Sequence, residues 1–223
     1  MPNKLSALLI DHDGTLVNSE PAQFEIWQNI LAEYQVDYTF EDFIPRIGIP
    51  GNITAEYLVD LYNLPIAAEK LALVKEQQTD LYLQNHAFPL MPGILDIIHW
   101  AKELGLKLAI VSGAERASVL RSLQHHNLSE LIDCVVAGGD TDKNKPDPLP
   151  YLTALERLGL TAEQAVALED SAGGIQSAVG AGLCCFAIKH AFTSVDKLQQ
   201  ATEIFASHAD ILARLKLSQV QIN

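Results

Sequence analysis

The stretch Leu5-Ser6-Ala7-Leu8-Leu9-Ile10-Asp11-His12-Asp13-Gly14-Thr15 is a short apolar run stopped by two acids and a glycine. A run of this length bounded by polar residues fits a strand buried on both faces. Gly14 allows the tight backbone excursion that has to follow it. Similar runs recur at 106–111 before Ser112, at 134–136 before Ala137-Gly138-Gly139, at 165–168 before Glu169-Asp170, and at 183–188. Helix-period segments separate them from Leu106 onward. Residues 92–104 place Ile94, Ile97, Ile98 and Ala101 on one face, with Gly105 at the helix end, and 149–158 and 171–181 are the later helices. Continuous apolar strands alternating with helices predict an α/β fold, a Rossmann-like doubly wound parallel sheet.

The interval between the first two strands is too long for one crossover helix, and it reads as helices alone. Residues 20–34 put Phe24, Trp27, Ile30, Leu31 and Tyr34 on one stripe, with Ser19 as N-cap and Pro21 in the first turn. Residues 53–62 and 66–85 are helical in pattern as well. The expectation is a helical cap domain, 18–90, inserted into a catalytic core made of 1–17 and 91–223, with the residues from Ser218 as a loose tail.

Composition narrows the function. The chain has 223 residues, 48% of them hydrophobic and 19% charged, which is an ordinary folded composition. The three cysteines, Cys134, Cys184 and Cys185, form no Cys-x-x-Cys pair and suit a reducing cytoplasm. No apolar run approaches the roughly 20 residues of a membrane-crossing helix, and no targeting segment is expected. The net charge of −13 argues against nucleic acid as a partner, because phosphate-backbone affinity needs clustered Lys and Arg. If the substrate is itself a phosphate, the site must supply its own cations.

Ligands of an open parallel sheet bind beyond the carboxyl ends of its strands, near the point where strand order reverses. Asp11, Asp13, Ser112, Lys145, Glu169 and Asp170 lie at or just after those ends. Each taken singly is an ordinary loop residue or N-cap. Together, four carboxylates in one cleft are unfavourable without a cation, and a hard divalent ion such as Mg²⁺ takes carboxylate oxygens, water and phosphate. Asp11 and Asp170 are expected as ligands, with Glu169 direct or through water and Asp13 through its backbone carbonyl. Lys145 and the Ser112 hydroxyl, beside Gly113, suit a phosphoryl group's equatorial oxygens.

Four segments make the pattern specific: Asp11-His12-Asp13-Gly14-Thr15, Ile110-Val111-Ser112-Gly113, Lys145-Pro146-Asp147-Pro148, and Leu168-Glu169-Asp170-Ser171 with Gly173-Gly174-Ile175. In this order they resemble the motifs of the haloacid dehalogenase-like superfamily. The resemblance implies Asp11 as the nucleophile that becomes an aspartyl-phosphate. It implies Asp13 as the general acid and base, Ser112 and Lys145 as phosphate holders, and Glu169 and Asp170 as metal positions. The dehalogenases of the family lack an acid at the place of Asp13, so it implies a phosphatase.

The helical insertion resembles the cap of the branch that holds sugar-phosphate phosphatases and β-phosphoglucomutase, and implies that Arg46 in the cap loop reaches the substrate. The alternative is a phosphosugar mutase. It is disfavoured because a hinge His of that enzyme is Gln23 here, and a cap Arg falls at Gly51. The segment from Lys145 to Leu152 resembles deoxysugar- and glycerol-phosphate phosphatases, so the expected partner is a small phosphorylated metabolite. A monomer or weak homo-oligomer is expected, with no membrane. A non-catalytic phosphate-binding protein on the same fold is a further alternative, and every catalytic position being filled speaks against it. His12 is expected to pack rather than react, His125 and His126 to make a poor metal pair, and Arg116 either to approach the phosphate or to be solvated.

Overall fold

The computed structural model describes residues 5–191 and 193–220. They divide into two compact units, one running up to Asn18 and resuming at Pro89, the other Ser19–Phe88.

The first unit is built on six parallel strands, β1 (Ala7–Ile10), β2 (Lys107–Glu115), β3 (Cys134–Gly138), β4 (Ala165–Glu169), β5 (Cys184–Ile188) and β6 (Glu203–Phe205). Their order is β3-β2-β1-β4-β5-β6. The chain winds outward from β1 through β2 to β3, then returns to start again at β4 on the other side. The crevice between β1 and β4 is therefore the topological switch point. All four residues of β1 are buried. Ala7 and Leu9 share a core with Tyr151, Ala154, Ile175 and Ala178. Leu8 and Ile10, which alternate to the opposite face, are equally buried. The sheet is thus covered on both sides, as a Rossmann-like core requires.

The helices of this unit after Pro89 are α5 (Ile94–Glu103), α6 (Arg116–His125), α7 (Leu149–Leu158), α8 (Ala172–Gly180) and α9 (His208–Val220). Helix α5 packs on β2 and on α9. It begins two residues later than the periodicity predicts because Gly93, at φ +84°, turns the chain just before Ile94. Gly105 takes the left-handed conformation expected after the helix. Strand β6 and helix α9 were not anticipated from the sequence pattern. The loose tail expected from Ser218 is instead helical as far as Val220, and 221–223 lie outside the described residues.

The second unit is all helical: α1 (Glu20–Ala32), α2 (Phe40–Phe43), α3 (Gly51–Tyr62) and α4 (Ala68–Asn85). Its core gathers Ile26, Trp27, Ile30 and Leu31 of α1 with Tyr38, Phe43, Ala55, Leu58, Leu64 and Leu71. Ser19 precedes α1 but does not cap it. Its backbone is already helical (φ −86°, ψ −19°), so its hydroxyl makes no cap hydrogen bond, whereas a capping residue is extended. Thr39 does cap α2, exchanging bonds with Asp42. No helix among the described residues is long and apolar enough to cross a membrane.

Candidate active site

Strand register assembles the site. Ile10 pairs with Ile110 of β2 and with Leu168 of β4. One residue further on, Asp11 is level with Val111 and Glu169, and its backbone N–H extends the ladder to the Leu168 carbonyl (3.0 Å). Three strand ends thus converge on one edge of the sheet.

Lys145 connects them. Its ammonium donates to Asp11 Oδ1 (2.5 Å), Glu169 Oε1 (2.6 Å) and the Val111 carbonyl (2.8 Å). All three protons are used. Burial alone would lower its pKa, but the Asp11 and Glu169 carboxylates overcome that and hold it above the ordinary lysine value. It is a fixed cation.

Glu169 is fully buried. Besides Lys145, its Oε1 accepts the Tyr151 hydroxyl of α7 (2.7 Å). Its Oε2 faces the backbone N–H of Asp170 (3.2 Å) and the hydroxyl of Ser171 (3.3 Å). Ser171 also caps α8 by accepting from Gly174 N–H (3.0 Å). A Cβ at Gly174 would overlap both carboxylate oxygens of Glu169, so only glycine leaves that carboxylate its place. Asp170 meets His190 Nε2 at 3.4 Å.

Asp11, Glu169 and Asp170 hold carboxylate oxygens within 4.8 Å of one another, close enough to share a metal ion. Burial, foremost, raises the pKa of Asp11 well above its ordinary value; Lys145 opposes this, and Glu169 and Asp170 add to it. Burial likewise raises that of Asp170, against the stabilising contact with His190. Three carboxylates face one ammonium. The cluster carries uncompensated negative charge and offers hard oxygen donors, which fits a divalent cation.

The loop after β1 wraps tightly. Gly14 (φ +81°) donates to the Val17 carbonyl (2.8 Å), while Leu16 and Val17 N–H both return to the His12 carbonyl (3.0 and 2.9 Å). Asp13 rides on this turn with a side chain 39% exposed, and its Oδ2 lies 3.2 Å from His12 Nδ1. It is outside the group of carboxylates that could share an ion. His12 is buried, as expected of a packing residue, yet its Nε2 and the Thr15 Oγ1 are buried polar atoms without a hydrogen bond.

The remaining expected residues fall variously. Ser112 is buried and accepts the Ala114 N–H (3.0 Å) where the β2–β3 pairing shifts register between Val111 and Glu115; Gly113 beside it is exposed. Strand β2 therefore runs three residues beyond Ser112. Arg116 is solvent-exposed, as one of the two expectations had it, and its guanidinium also bonds Asp140 (2.5 Å) and the Val135 carbonyl (3.3 Å). Arg46, in the helical unit, lies over the Tyr57 ring at 4.1 Å. Tyr151, His190 and His208 contact the site or its loop and were not singled out in sequence. Tyr151 lies on the apolar face of α7, and the two histidines act on backbone carbonyls, which leave no motif.

A parallel sheet with a buried carboxylate cluster at its switch point makes this an α/β protein whose candidate site lies at the carboxyl ends of its strands. Residues 8–188 match the family model described as haloacid dehalogenase-like hydrolase. A phosphorylated carbohydrates phosphatase of Thermotoga maritima is 29% identical over 80% of this chain and 82% of its own length. The chloroplastic protein suppressor of quenching 1 of Arabidopsis thaliana is 32% identical over 83% of this chain, which spans only 18% of that protein. The solved structure of a CbbY variant from Rhodobacter sphaeroides in complex with xylulose-(1,5)-bisphosphate superposes with a TM-score of 0.76. It is 27% identical, over 92% of this chain and 95% of that one. The chain belongs to the haloacid dehalogenase-like hydrolase family, and within it to the phosphoric monoester hydrolases.

Proposed function

We propose that this protein is a Mg²⁺-dependent phosphatase that hydrolyses a small sugar or polyol phosphate through an aspartyl-phosphate on Asp11. The observation that carries the reading is the Asp11 carboxylate itself, held by Lys145 at the switch point between β1 and β4. Lys145 favours the anionic form of Asp11 against the burial that raises its pKa, and holds the carboxylate in place, as a nucleophile needs. The names of relatives, one acting on phosphorylated carbohydrates and one bound to a sugar bisphosphate, support the substrate class.

In the first step a carboxylate oxygen of Asp11 bonds to phosphorus as the phosphorus–oxygen bond to the sugar breaks, and the leaving alkoxide takes the proton of Asp13. In the second, Asp13 removes a proton from a water whose oxygen bonds to phosphorus as the bond between phosphorus and the Asp11 oxygen breaks. Inorganic phosphate leaves and the Asp11 carboxylate is restored. When bound, Mg²⁺ would supply positive charge to the phosphoryl oxygens. Asp11 and Asp170 would hold it, with the Asp13 carbonyl as a further oxygen donor. Glu169, whose oxygens are already engaged by Lys145, Tyr151, Asp170 N–H and Ser171, holds the ligands in place rather than binding directly. Ser112 and Gly113 would contact the phosphate, and Lys145, whose protons go to Asp11, Glu169 and the Val111 carbonyl, would offset its charge. The helical unit, with Arg46 in its loop, serves as the cap that recognises the rest of the substrate.

The test is a panel of phosphorylated sugars and polyols with an aryl phosphate as control, assayed with Mg²⁺ for free phosphate. Release from a subset of the sugar or polyol phosphates is expected. Folded protein that releases none, even from the aryl phosphate, contradicts the reading. An isomerised sugar phosphate without free phosphate would make it a mutase.

A further inference from the structure

Three consecutive carbonyls on the rim of the loop after β1 are each bound by a different distant segment. His190, two residues beyond β5, takes the Gly14 carbonyl (2.7 Å). His208, the first residue of α9, takes that of Thr15 (2.9 Å). The Met91 N–H takes that of Leu16 (2.9 Å). The His208 bond spans 193 residues of sequence and is buried at both ends, with His208 only 1% exposed. Since a carbonyl can only accept, His208 must carry its proton on Nε2.

The seat of that imidazole is shaped on its other side as well. Ser207 and Asp210 close the first turn of α9 by exchanging bonds (2.7 and 3.2 Å). Gly93, at φ +84°, sits under it, where a Cβ would come within 3.3 Å of His208 Cβ.

We infer that His208 is a positioning residue for the acid–base carboxylate, acting through the Thr15 carbonyl to hold Asp13 at its working place on the turn. The inference rests on the proposed role of Asp13. Asp13 is part-exposed and stands on a turn wound around the His12 carbonyl. Its aim therefore depends on the turn being pinned from behind, and misplacement of about 1 Å can cost up to ~100-fold in rate. A proton donor matters most when the leaving group is a poor one. Loss of the His208 bond should thus show chiefly with alkyl phosphates.

The experiment compares kcat and KM for an alkyl phosphate and an aryl phosphate in the full-length protein with Mg²⁺. The variants are His208→Gln, which can still donate near the Nε2 position, His208→Leu, His208→Asn and Asp13→Asn. We expect His208→Leu and His208→Asn to lose about tenfold or more in kcat on the alkyl phosphate and less than about threefold on the aryl phosphate, with KM little changed. His208→Gln should restore the wild-type ratio. If His208→Leu does not fold, the contrast between Gln and Asn decides. An unchanged alkyl-to-aryl ratio in His208→Leu and in His208→Asn, whose amide is too short to reach the Thr15 carbonyl, overturns the inference, as does an equal loss on both substrates that follows melting temperature. Asp13→Asn separates the two levels. If it shows no leaving-group bias, the acid assignment itself fails; if it does and the His208 variants do not, only the inference about His208 falls.

Discussion

Glu169 and Gly174 illustrate how one residue's place depends on another's lack of a side chain. The Glu169 carboxylate occupies the space where a Cβ on Gly174 would stand. From helix propensity alone, Gly174→Ala in α8 should stabilise the protein by up to about 1 kcal/mol. The overlap predicts the opposite sign, because the carboxylate must leave its bonds to Lys145, Tyr151 and Ser171 and become a displaced buried charge. Such losses run to about 3 kcal/mol. Gly174→Ala should therefore lower the melting temperature, shrink the stabilisation by added Mg²⁺, and cut phosphate release severely. A more stable and fully active variant would show that Glu169 has another place to go. At this scale Asp11, Glu169 and Asp170 stood out in the sequence, since charged residues at the ends of apolar runs have few structural reasons to be there, while Lys145, in the loop after β3, stood out through the resemblance of its segment. Tyr151 was not, because a tyrosine on an apolar helix face looks like any core aromatic until its hydroxyl is seen to reach Glu169.

Helix α9 carries its own pH dependence. Burial, chiefly, pushes the His208 pKa down to about 4; the bond to Thr15 resists this and nearby His190 adds to it. In the unfolded chain the ordinary value is about 6.5. The unfolded state thus binds the proton first as pH falls, and the stability tied to neutral His208 is present above about pH 6.5 and lost progressively toward pH 4. Wild-type protein should lose on the order of 2 kcal/mol more than His208→Gln between pH 7 and pH 4.5. Asp11 and Asp170, whose pKa values are raised, contribute with the opposite sign, but they do so in both proteins and cancel in the comparison. Parallel melting curves for the two proteins across that range would contradict the assignment. The five principal strands were readable as apolar runs. Strand β6 was not, because it has three residues and its middle one, Ile204, is 38% exposed. The pairing of Arg116 with Asp140 was not readable, because Asp140 lies beyond β3 and is joined to it only by the fold.

For the molecule as a whole, the charge of −13 opposes an anionic substrate at long range, and folding answers locally by bringing Lys145 onto Asp11, 134 residues away in sequence. The alternation of apolar runs and helices was enough to anticipate the parallel sheet and its helical insertion. Strand order was not readable that way, since nothing in a run of leucines says which neighbour it will pair with. The switch point between β1 and β4 came from the structure, and it is what turns Asp11 from an acid ending a strand into the centre of a site. The most direct measurement is chemical. Protein turning over a sugar or aryl phosphate with Mg²⁺ is quenched, reduced with borohydride, digested, and the peptide containing residues 11 and 13 is read by mass spectrometry. An acyl phosphate is reduced where a free carboxylate is not, so homoserine should appear at position 11, Asp13 should be unchanged, and Asp11→Asn protein should show neither label nor turnover. Sustained turnover with the mark at another residue, or with none at all, would contradict the account.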